Sequence, residues 1–315
     1  MGTVTSATLR NFLMSRRARI SPAVVGLRSD GRRRVSGLRR EEVAELAQVS
    51  VEYYVQIERG RLSGISGEVL DRIANALMLT ELERHHFANL VRNLRGTQSR
   101  QQDPVECEVK HDVRVLVSLI QDAAVIVMTH RAEVVACNSL ARALFEPMFS
   151  RGDAKPNFAR FVFLDERARS FIVDSEVAAR GFAALLLISL GRYPHDARLL
   201  DLIDRLKDAS AVFQELWNEH DVDSGSRVAT RFRHPRVGEI DLRFEALEIP
   251  DSSSLTILSY FAAPRDDSYN EFQKLRDGPS VQPRVARRDT DPNVRELSLV
   301  KPAGHPSCPR MLLGG

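Results

Sequence analysis

Apolar residues recur at helical spacing through the N-terminal third of the chain, in short segments that polar turns separate. In the first segment Leu9, Phe12 and Leu13 share one face of a helix that ends near Ala18. The same spacing predicts four further helices, from Arg39 to Ala47, from Val51 to Arg59, from Gly67 to Leu79, and from the residue after Thr80 onward. Residues 1–95 are therefore predicted to form an all-α unit.

Residues with capping chemistry stand between these helices. The turn Gln48-Val49-Ser50 places Ser50 where its side chain can cap the helix that follows. That helix ends at Gly60, where a residue that tolerates positive φ is expected. Thr80 and Glu83 have the spacing of a capping box. These residues predict where each helix begins and ends.

The pattern changes to alternating apolar positions in the second half of the chain. Strands are predicted from Ala124 to Met128 and from Glu133 to Cys137, around a turn at His130-Arg131, and a helix follows from Asn138 to Phe145. Further helices are predicted over residues 165–171, 175–191, 196–208 and 210–220, and further strands over residues 239–247 and 255–261. This mixture predicts one α+β domain over residues 113–275, so the chain as a whole is multidomain.

Two segments lack such periodicity. Residues 96–112 are polar and contain Pro104, which is typical of a linker. Residues 276–315 are rich in proline and basic residues, and their composition predicts a disordered basic tail that is solvated or that touches DNA without sequence preference.

The charge of the chain is divided unevenly between these parts. Residues 1–100 carry 17 basic against 10 acidic residues, a difference of +7. Residues 101–275 carry 21 against 28, a difference of −7, and residues 276–315 carry 7 against 4, a difference of +3. The opposite signs predict domains with different partners, of which the first is suited to a polyanion.

Other features exclude several classes of protein. Cys107, Cys137 and Cys308 are far apart and lack His or Cys neighbours at ligand spacing, so neither a disulfide framework nor a zinc site is predicted. The longest apolar run, Phe182 to Leu190, is too short to span a bilayer, and no signal peptide is indicated. We therefore expect a cytoplasmic protein with no membrane partner, no metal and no cofactor.

The two helices between Arg39 and Arg61 resemble the helix-turn-helix of the Xre and phage repressor family. The short turn sets the crossing of the two helices, so that the first lies over the phosphates and the second enters the major groove. Small residues, Ala44 and Ala47, allow the close approach. A plain helical hairpin with a solvated basic rim is the structural alternative. The resemblance implies that double-stranded operator DNA is a partner.

Site residues follow from this placement. Gln56 can pair with adenine, Glu52 can accept from the cytosine amine, and Val51 can touch a thymine methyl group. The residues predicted to read bases are Val51, Glu52, Tyr53 and Gln56. The residues predicted to bind phosphates are Arg32, Arg33, Arg34, Arg39, Ser50, Arg59 and Arg61.

Three segments narrow the resemblance to the MmyB-like branch of these regulators. They are Tyr53-Tyr54 followed by residues 57–61, the segment Leu216 to Val222, and the segment Arg231 to Glu239. The similarity covers roughly residues 7–265, although the lead-in at residues 111–123 lacks the family's aromatic and proline residues. The resemblance implies a PAS-like ligand-binding domain after the DNA-binding domain, and a fatty-acid-like or other apolar ligand.

Two groups of residues are candidates for contact with that ligand. Phe145, Phe161, Phe163, Phe213 and Trp217 are predicted to line an apolar space, or else to form ordinary core. His220, Arg231, Arg233 and His234 are predicted to form a polar mouth for a ligand carboxylate, because arginine presents a planar fork to such groups. The alternatives are a surface role, or a rigid turn over residues 232–238.

Three functions remain open at this point. The first is a one-component regulator, in which ligand occupancy changes the arrangement of paired helix-turn-helix units in a homodimer and so shifts operator affinity. In the second, the C-terminal domain is a dimerisation or protein-interaction module without a ligand. The third, a DNA-tethered enzyme, lacks the motifs Gly-x-Ser-x-Gly and His-Glu-x-x-His, so no catalytic activity is predicted.

Overall fold

A computed structural model describes residues 3–27, 35, 37–62, 64–95, 109–150, 155–222, 229–249 and 254–277. Arg32, Arg33 and Arg34, most of the predicted linker and nearly all of the predicted tail lie outside these residues.

The N-terminal part is helical, as predicted. Its helices are α1 (Thr3–Arg19), α2 (Arg40–Leu46), α3 (Val51–Glu58), α4 (Gly67–Ala76) and α5 (Glu81–Leu94), with a 3-10 helix at Pro22–Val25. The Ser50 hydroxyl accepts a hydrogen bond from the Tyr53 amide at 3.1 Å, which caps α3. Thr80 and Glu83 form the expected capping box of α5. Gly60 follows α3 with φ 77°, which confirms the predicted end of that helix.

The C-terminal part combines helices with one sheet. Its helices are α6 (His111–Leu119), α7 (Ser139–Leu144), α8 (Glu146–Phe149), α9 (Phe158–Leu164), α10 (Glu166–Phe171), α11 (Ser175–Arg192), α12 (Ala197–Ala209), α13 (Ala211–Glu219) and α14 (Tyr269–Asp277). Its strands are β1 (Ala124–Thr129), β2 (Val134–Cys137), β3 (Ala229–His234), β4 (Gly238–Glu248) and β5 (Leu255–Phe261). The predicted α+β class is confirmed.

The five strands form an antiparallel sheet in the order β2-β1-β5-β4-β3. Side chains of β1 alternate between two cores, because successive residues of a strand point to opposite faces. Ile126 and Met128 join the main core with the helices that follow the first hairpin, whereas Val125 and Val127 pack with Val117 of α6 in a smaller one. The helices that follow thus enclose one face of the sheet.

Several elements differ from the predictions. Helix α6 begins at His111, inside the predicted linker, and α14 continues to Asp277, inside the predicted tail. Strand β3 was not predicted, because Arg231 and Arg233 conceal its alternation. Of the turn considered over residues 232–238, residues 235–237 do form a turn, before Gly238 at φ 78°. Helix α9 is so apolar that it shows no helical periodicity.

Candidate nucleic-acid interface and ligand-binding domain

Helix α3 has one buried side and one exposed side. Tyr54 and Ile57 are fully buried and belong to the same core as Val43 of α2. Glu52 and Gln56 lie one helical turn apart and are exposed. The core therefore fixes α3 against the preceding helix and leaves a polar face available to a partner.

The four predicted base-reading residues do not share one environment. Glu52 and Gln56 project freely, whereas Val51 and Tyr53 are half-buried and pack against the main core. Val51 begins the helix directly after the cap at Ser50, so part of its side chain stays accessible at the tip of α3. Of the four, Glu52 and Gln56 have the freedom to reach the edges of bases.

The described residues predicted to bind phosphates lie at or near the ends of α2 and α3. Arg39, Ser50, Arg59 and Arg61 are all exposed. Arg39 precedes α2, and its backbone amide donates to the Glu42 carboxylate at 2.6 Å. The Ser50 oxygen accepts the capping bond, yet its hydroxyl hydrogen can still be donated to a phosphate. The two arginines that follow α3 place two exposed positive charges close to the end of that helix.

A buried carboxylate, which the sequence did not reveal, holds α3 in place. Glu58 is 2% exposed and lies 2.6 Å from Arg40 Nε and 3.6 Å from Arg17 Nε. Arg17 also donates from Nη1 to the Leu38 carbonyl at 2.7 Å. Burial, and then the negative charge of Glu58, raises the pKa of the neighbouring Tyr54 phenol, which stays protonated. Glu58 thus joins α3 to both α1 and α2.

The aromatic residues of the C-terminal domain form a first cluster against the inner face of the sheet. Phe145 lies at its centre, with ring centroids 5.1 Å from Phe158, 5.5 Å from Phe232 and 5.2 Å from Tyr260. Phe171 packs at 5.9 Å on another side. We call these five residues the sheet-side cluster. Of the predicted lining residues it contains Phe145, and Phe161 touches its edge.

A second cluster lies between α9 and α13. The ring of Phe213 is 4.9 Å from that of Phe163 and 5.3 Å from that of Trp217. Lys207 Nζ lies 5.0 Å from the centre of the Trp217 ring, a cation–π contact. The predicted lining residues are therefore divided between two clusters and do not surround one space.

The structure does not bring together the four residues of the predicted polar mouth. Arg231 and Arg233 lie on the exposed face of β3 and pair with Asp241 and Glu239 of β4. His234 points to the opposite, buried face. His220 ends α13, on another element. The four residues do not form one site, because successive residues of a strand point to opposite faces, which separates His234 from Arg231 and Arg233, and His220 lies on another element.

His234 instead has a structural role. Its Nε2 donates to the Ala143 carbonyl at 3.0 Å, and its Nδ1 accepts from the Arg236 amide at 3.2 Å. Burial lowers the pKa of this imidazole. Both ring nitrogens are satisfied by the backbone in the neutral form, so His234 fastens the β3–β4 turn to α7.

A second buried polar group went unnoticed in the sequence. Asp196 Oδ2 lies 2.6 Å from His130 Nε2 and 2.7 Å from Arg131 Nη1, and all three residues are at most 7% exposed. Its other oxygen accepts from the Leu199 amide at 3.1 Å and so caps α12. Burial acts to raise the pKa of Asp196, but these hydrogen bonds and the charge of Arg131 hold it well below its usual range.

This network fastens the first hairpin of the sheet to α12. One feature of the sequence indicates it: the polar pair His130-Arg131 lies in a turn that directly follows an entirely buried strand, so these two side chains need buried partners. In the described ranges, His, Cys, Asp and Glu side chains do not gather into a set of three that could bind a metal ion. No helix in the same part of the chain is long and apolar enough to cross a membrane.

A helix-turn-helix with an exposed polar face on its second helix, followed by an α+β domain with an aromatic interior, is the arrangement of a transcription regulator with separate DNA-binding and ligand-binding domains. Comparison with protein families agrees. Residues 7–87 match a helix-turn-helix domain, and residues 109–275 match the MmyB-like transcription regulator ligand binding domain. The second match covers more than half of the 315 residues. The chain belongs to the MmyB-like family of transcription regulators, which confirms the resemblance. No curated protein matches the chain.

Proposed function

We propose that this regulator reads operator DNA with the early residues of α3. The observation that carries the proposal is the exposure of Glu52 and Gln56 on a helix whose opposite side is fully buried. Their side chains can hydrogen bond to base edges, whereas Arg39, Arg59 and Arg61 supply sequence-independent contacts to phosphates. The basic excess of residues 1–100 supports the same assignment.

In-vitro selection of bound duplexes tests this assignment. Gln56→Ala should weaken the preference at one base position by roughly 1–3 kcal/mol. Gln214→Ala, at an exposed position of α13, is the matched control and should leave the selected sequences unchanged. Arg59→Ala should weaken binding to all duplexes alike and reduce the salt dependence. An unaltered sequence profile for Gln56→Ala would mean that another surface reads the bases.

We also propose that the protein binds DNA as a homodimer. Regulators that use this motif commonly place two reading helices on half-sites about one helical turn apart. The same selection experiment reports the number and spacing of half-sites. A two-fold symmetric sequence supports the dimer, and a single unrepeated half-site bound by one chain contradicts it.

For the C-terminal domain we propose a small apolar ligand, of the fatty-acid class, bound against the sheet-side cluster. Two observations support this: the match to a ligand-binding domain and the five aromatic rings between the sheet and its helices. Such rings offer a large apolar surface to a ligand. A PAS-like description is consistent with the single antiparallel sheet enclosed by helices.

Native mass spectrometry of the freshly purified chain, with calorimetric titration of C12–C18 fatty acids, tests the ligand. A retained apolar molecule or saturable binding supports the proposal. Phe145→Ala should then change the affinity of the fatty acid at least several-fold, whereas Phe149→Ala, a half-buried ring outside the cluster, should not. A ligand-free mass and no binding of any fatty acid would favour the interaction module instead. The DNA-tethered enzyme gains no support from either family match.

A further inference from the structure

The DNA-binding helices and the ligand-binding helices meet at a buried polar contact. Arg16, near the end of α1, is 3% exposed and forms an ion pair with Glu83 of α5. Its Nη2 donates to the His220 carbonyl, at the end of α13, at 2.6 Å, and lies 3.5 Å from Asp221 Oδ1. Arg19 adds a 3.0 Å bond to Asp221. The end of α13 is thus tied to α1.

A second contact joins α11 to α5 at very short range. The side-chain amide of Asn93, in α5, donates from Nδ2 to the Gly191 carbonyl, in the last turn of α11. A Cβ atom at Gly191 would lie 2.7 Å from Cε1 and 2.9 Å from Nδ1 of His86, so a larger residue there requires the His86 ring to shift. Because the His86 ring is buried and packs against Phe12 at 5.1 Å, it has little room to move.

The two helices that make these contacts also reach the aromatic interior. In α11, Phe182 stacks on Phe158 of the sheet-side cluster at 5.5 Å, with the ring planes 10° apart. In α13, Phe213 and Trp217 form the second cluster, one to two turns before His220. Since a helix is stiff along its axis, displacement at the aromatic end moves the end that meets α1 and α5.

In the DNA-binding domain, α1 joins the contact with α13 to helix α3. Arg16 binds the end of α13, and the next residue, Arg17, pairs with the buried Glu58 of α3. Adjacent residues of one helix therefore hold both the ligand-binding domain and the reading helix. Gly60, two residues after α3, packs on Ser6 of α1, where a Cβ would lie 2.9 Å from the Ser6 hydroxyl oxygen.

We propose that α11 and α13 couple ligand binding to operator binding through Gly191 and the Arg16–Arg17 pair of α1, which act as positioning residues. The proposal rests on the proposed function, because it assumes that the C-terminal domain is occupied by a ligand in one state. Coupling of this kind requires that each partner binds differently to two arrangements of one packed contact. It is also reciprocal: DNA changes ligand affinity by the factor with which ligand changes DNA affinity.

A first experiment uses no small ligand. Hydrogen exchange of the full chain is measured with and without a selected operator duplex. In the wild-type chain, DNA should change exchange in α3 and also in residues 183–192 of α11. Gly191→Ala should abolish the remote change and keep the change in α3. Gly181→Ala, in the same helix but with no atom within 4 Å of the added Cβ, should behave like the wild type.

A second variant keeps the coupling testable if Gly191→Ala does not fold. Asp221→Asn removes a charge from the Arg16 contact at a partly exposed position and should reduce the remote change in α11. If DNA alters α3 but leaves α11 unaffected in the wild-type chain, the coupling route is wrong, whatever the ligand results are.

The second experiment adds a fatty acid from the calorimetric panel. In the wild-type chain it should shift operator affinity by a factor in the range of about 5–150, with the reciprocal shift in fatty-acid affinity. In Gly191→Ala both shifts should fall to within about two-fold of unity, while each partner alone still binds. Failure of every fatty acid to bind the wild type would overturn the ligand proposal, and the exchange experiment would still decide the route. An undiminished shift in Gly191→Ala would overturn the route itself.

Discussion

Glu58→Gln is the substitution that tests most directly how α3, the helix proposed to read operator DNA, is held in place. The change preserves the shape of the side chain and removes its charge, between Arg17 and Arg40. The Glu58 side chain is 2% exposed and that of Arg17 is 14% exposed, so water cannot replace the lost carboxylate on this side. The Arg40 side chain, at 40% exposure, can turn toward solvent.

The magnitude follows from these distances. At an effective dielectric constant of about 20, charges 3.6 Å apart attract by about 4–5 kcal/mol, before the cost of desolvation is subtracted. Removing one partner of a buried pair typically costs about 3–5 kcal/mol. Because the glutamine oxygen still accepts a hydrogen bond and Arg40 is partly solvated, we expect a loss of about 2–3 kcal/mol in the free energy of unfolding.

Urea denaturation followed by circular dichroism measures this loss. Glu45→Gln, at an exposed position of α2, is the control and should change stability by less than about 0.5 kcal/mol. Operator affinity of Glu58→Gln should fall for all duplexes, with the base preference unchanged, because α3 loses an ion pair that holds it and keeps all the residues proposed to read bases. Equal unfolding of the two variants would refute the view that Glu58 holds α3.

Three further outcomes are expected. Burial and the charge of Arg16 lower the pKa of His86 to about 3 and that of His220 to about 4, so between pH 6.5 and those values the unfolded chain binds protons that the folded chain does not. The free energy of unfolding should therefore be highest above pH 6.5 and should decline as the pH falls toward 4. His86→Gln should make this decline shallower in thermal melts recorded over the same pH range. An unchanged pH profile in that variant contradicts the assignment. Asp196→Asn should cost about 3 kcal/mol in urea denaturation, because Arg131 loses its buried partner. Phe145→Ala should cost about 3–5 kcal/mol without ligand, measured in the same way, and a cost below about 1 kcal/mol would mean that the sheet-side cluster is not packed as described.

Much of the fold was predictable because local chemistry decides it. The cap at Ser50 and the glycine at Gly60 mark the limits of α3 in the sequence, and the structure has the helix between them. Strand β5 was likewise recognisable from its apolar run. Strand β3 was not, because this edge strand carries charges on its exposed face, and on its other face Phe232 lies between the polar residues Thr230 and His234.

The candidate site was predictable only where one helix supplies it. Exposure of Glu52 and Gln56 follows from helical period alone. The ion pairs of Glu58 and Asp196 join residues far apart in the chain. The local sequence does not indicate which arginine pairs with a given buried carboxylate. The predicted mouth failed for a related reason: without strand β3, the alternation that separates Arg233 from His234 could not be applied.

The outer edge of the sheet at β3 has a consequence for self-association. Its free backbone side is partly occupied, since the Val173 amide donates to the Arg231 carbonyl at 3.0 Å and Ile172 forms a bridge with Phe232. Arg231 and Arg233, each held by an acidic residue of β4, add charged side chains along the same strand, and charged side chains on an edge strand oppose pairing with a second sheet. Growth of the sheet from one molecule into the next is therefore disfavoured at β3, which directs contacts between copies to other surfaces and protects the regulator from strand-mediated aggregation.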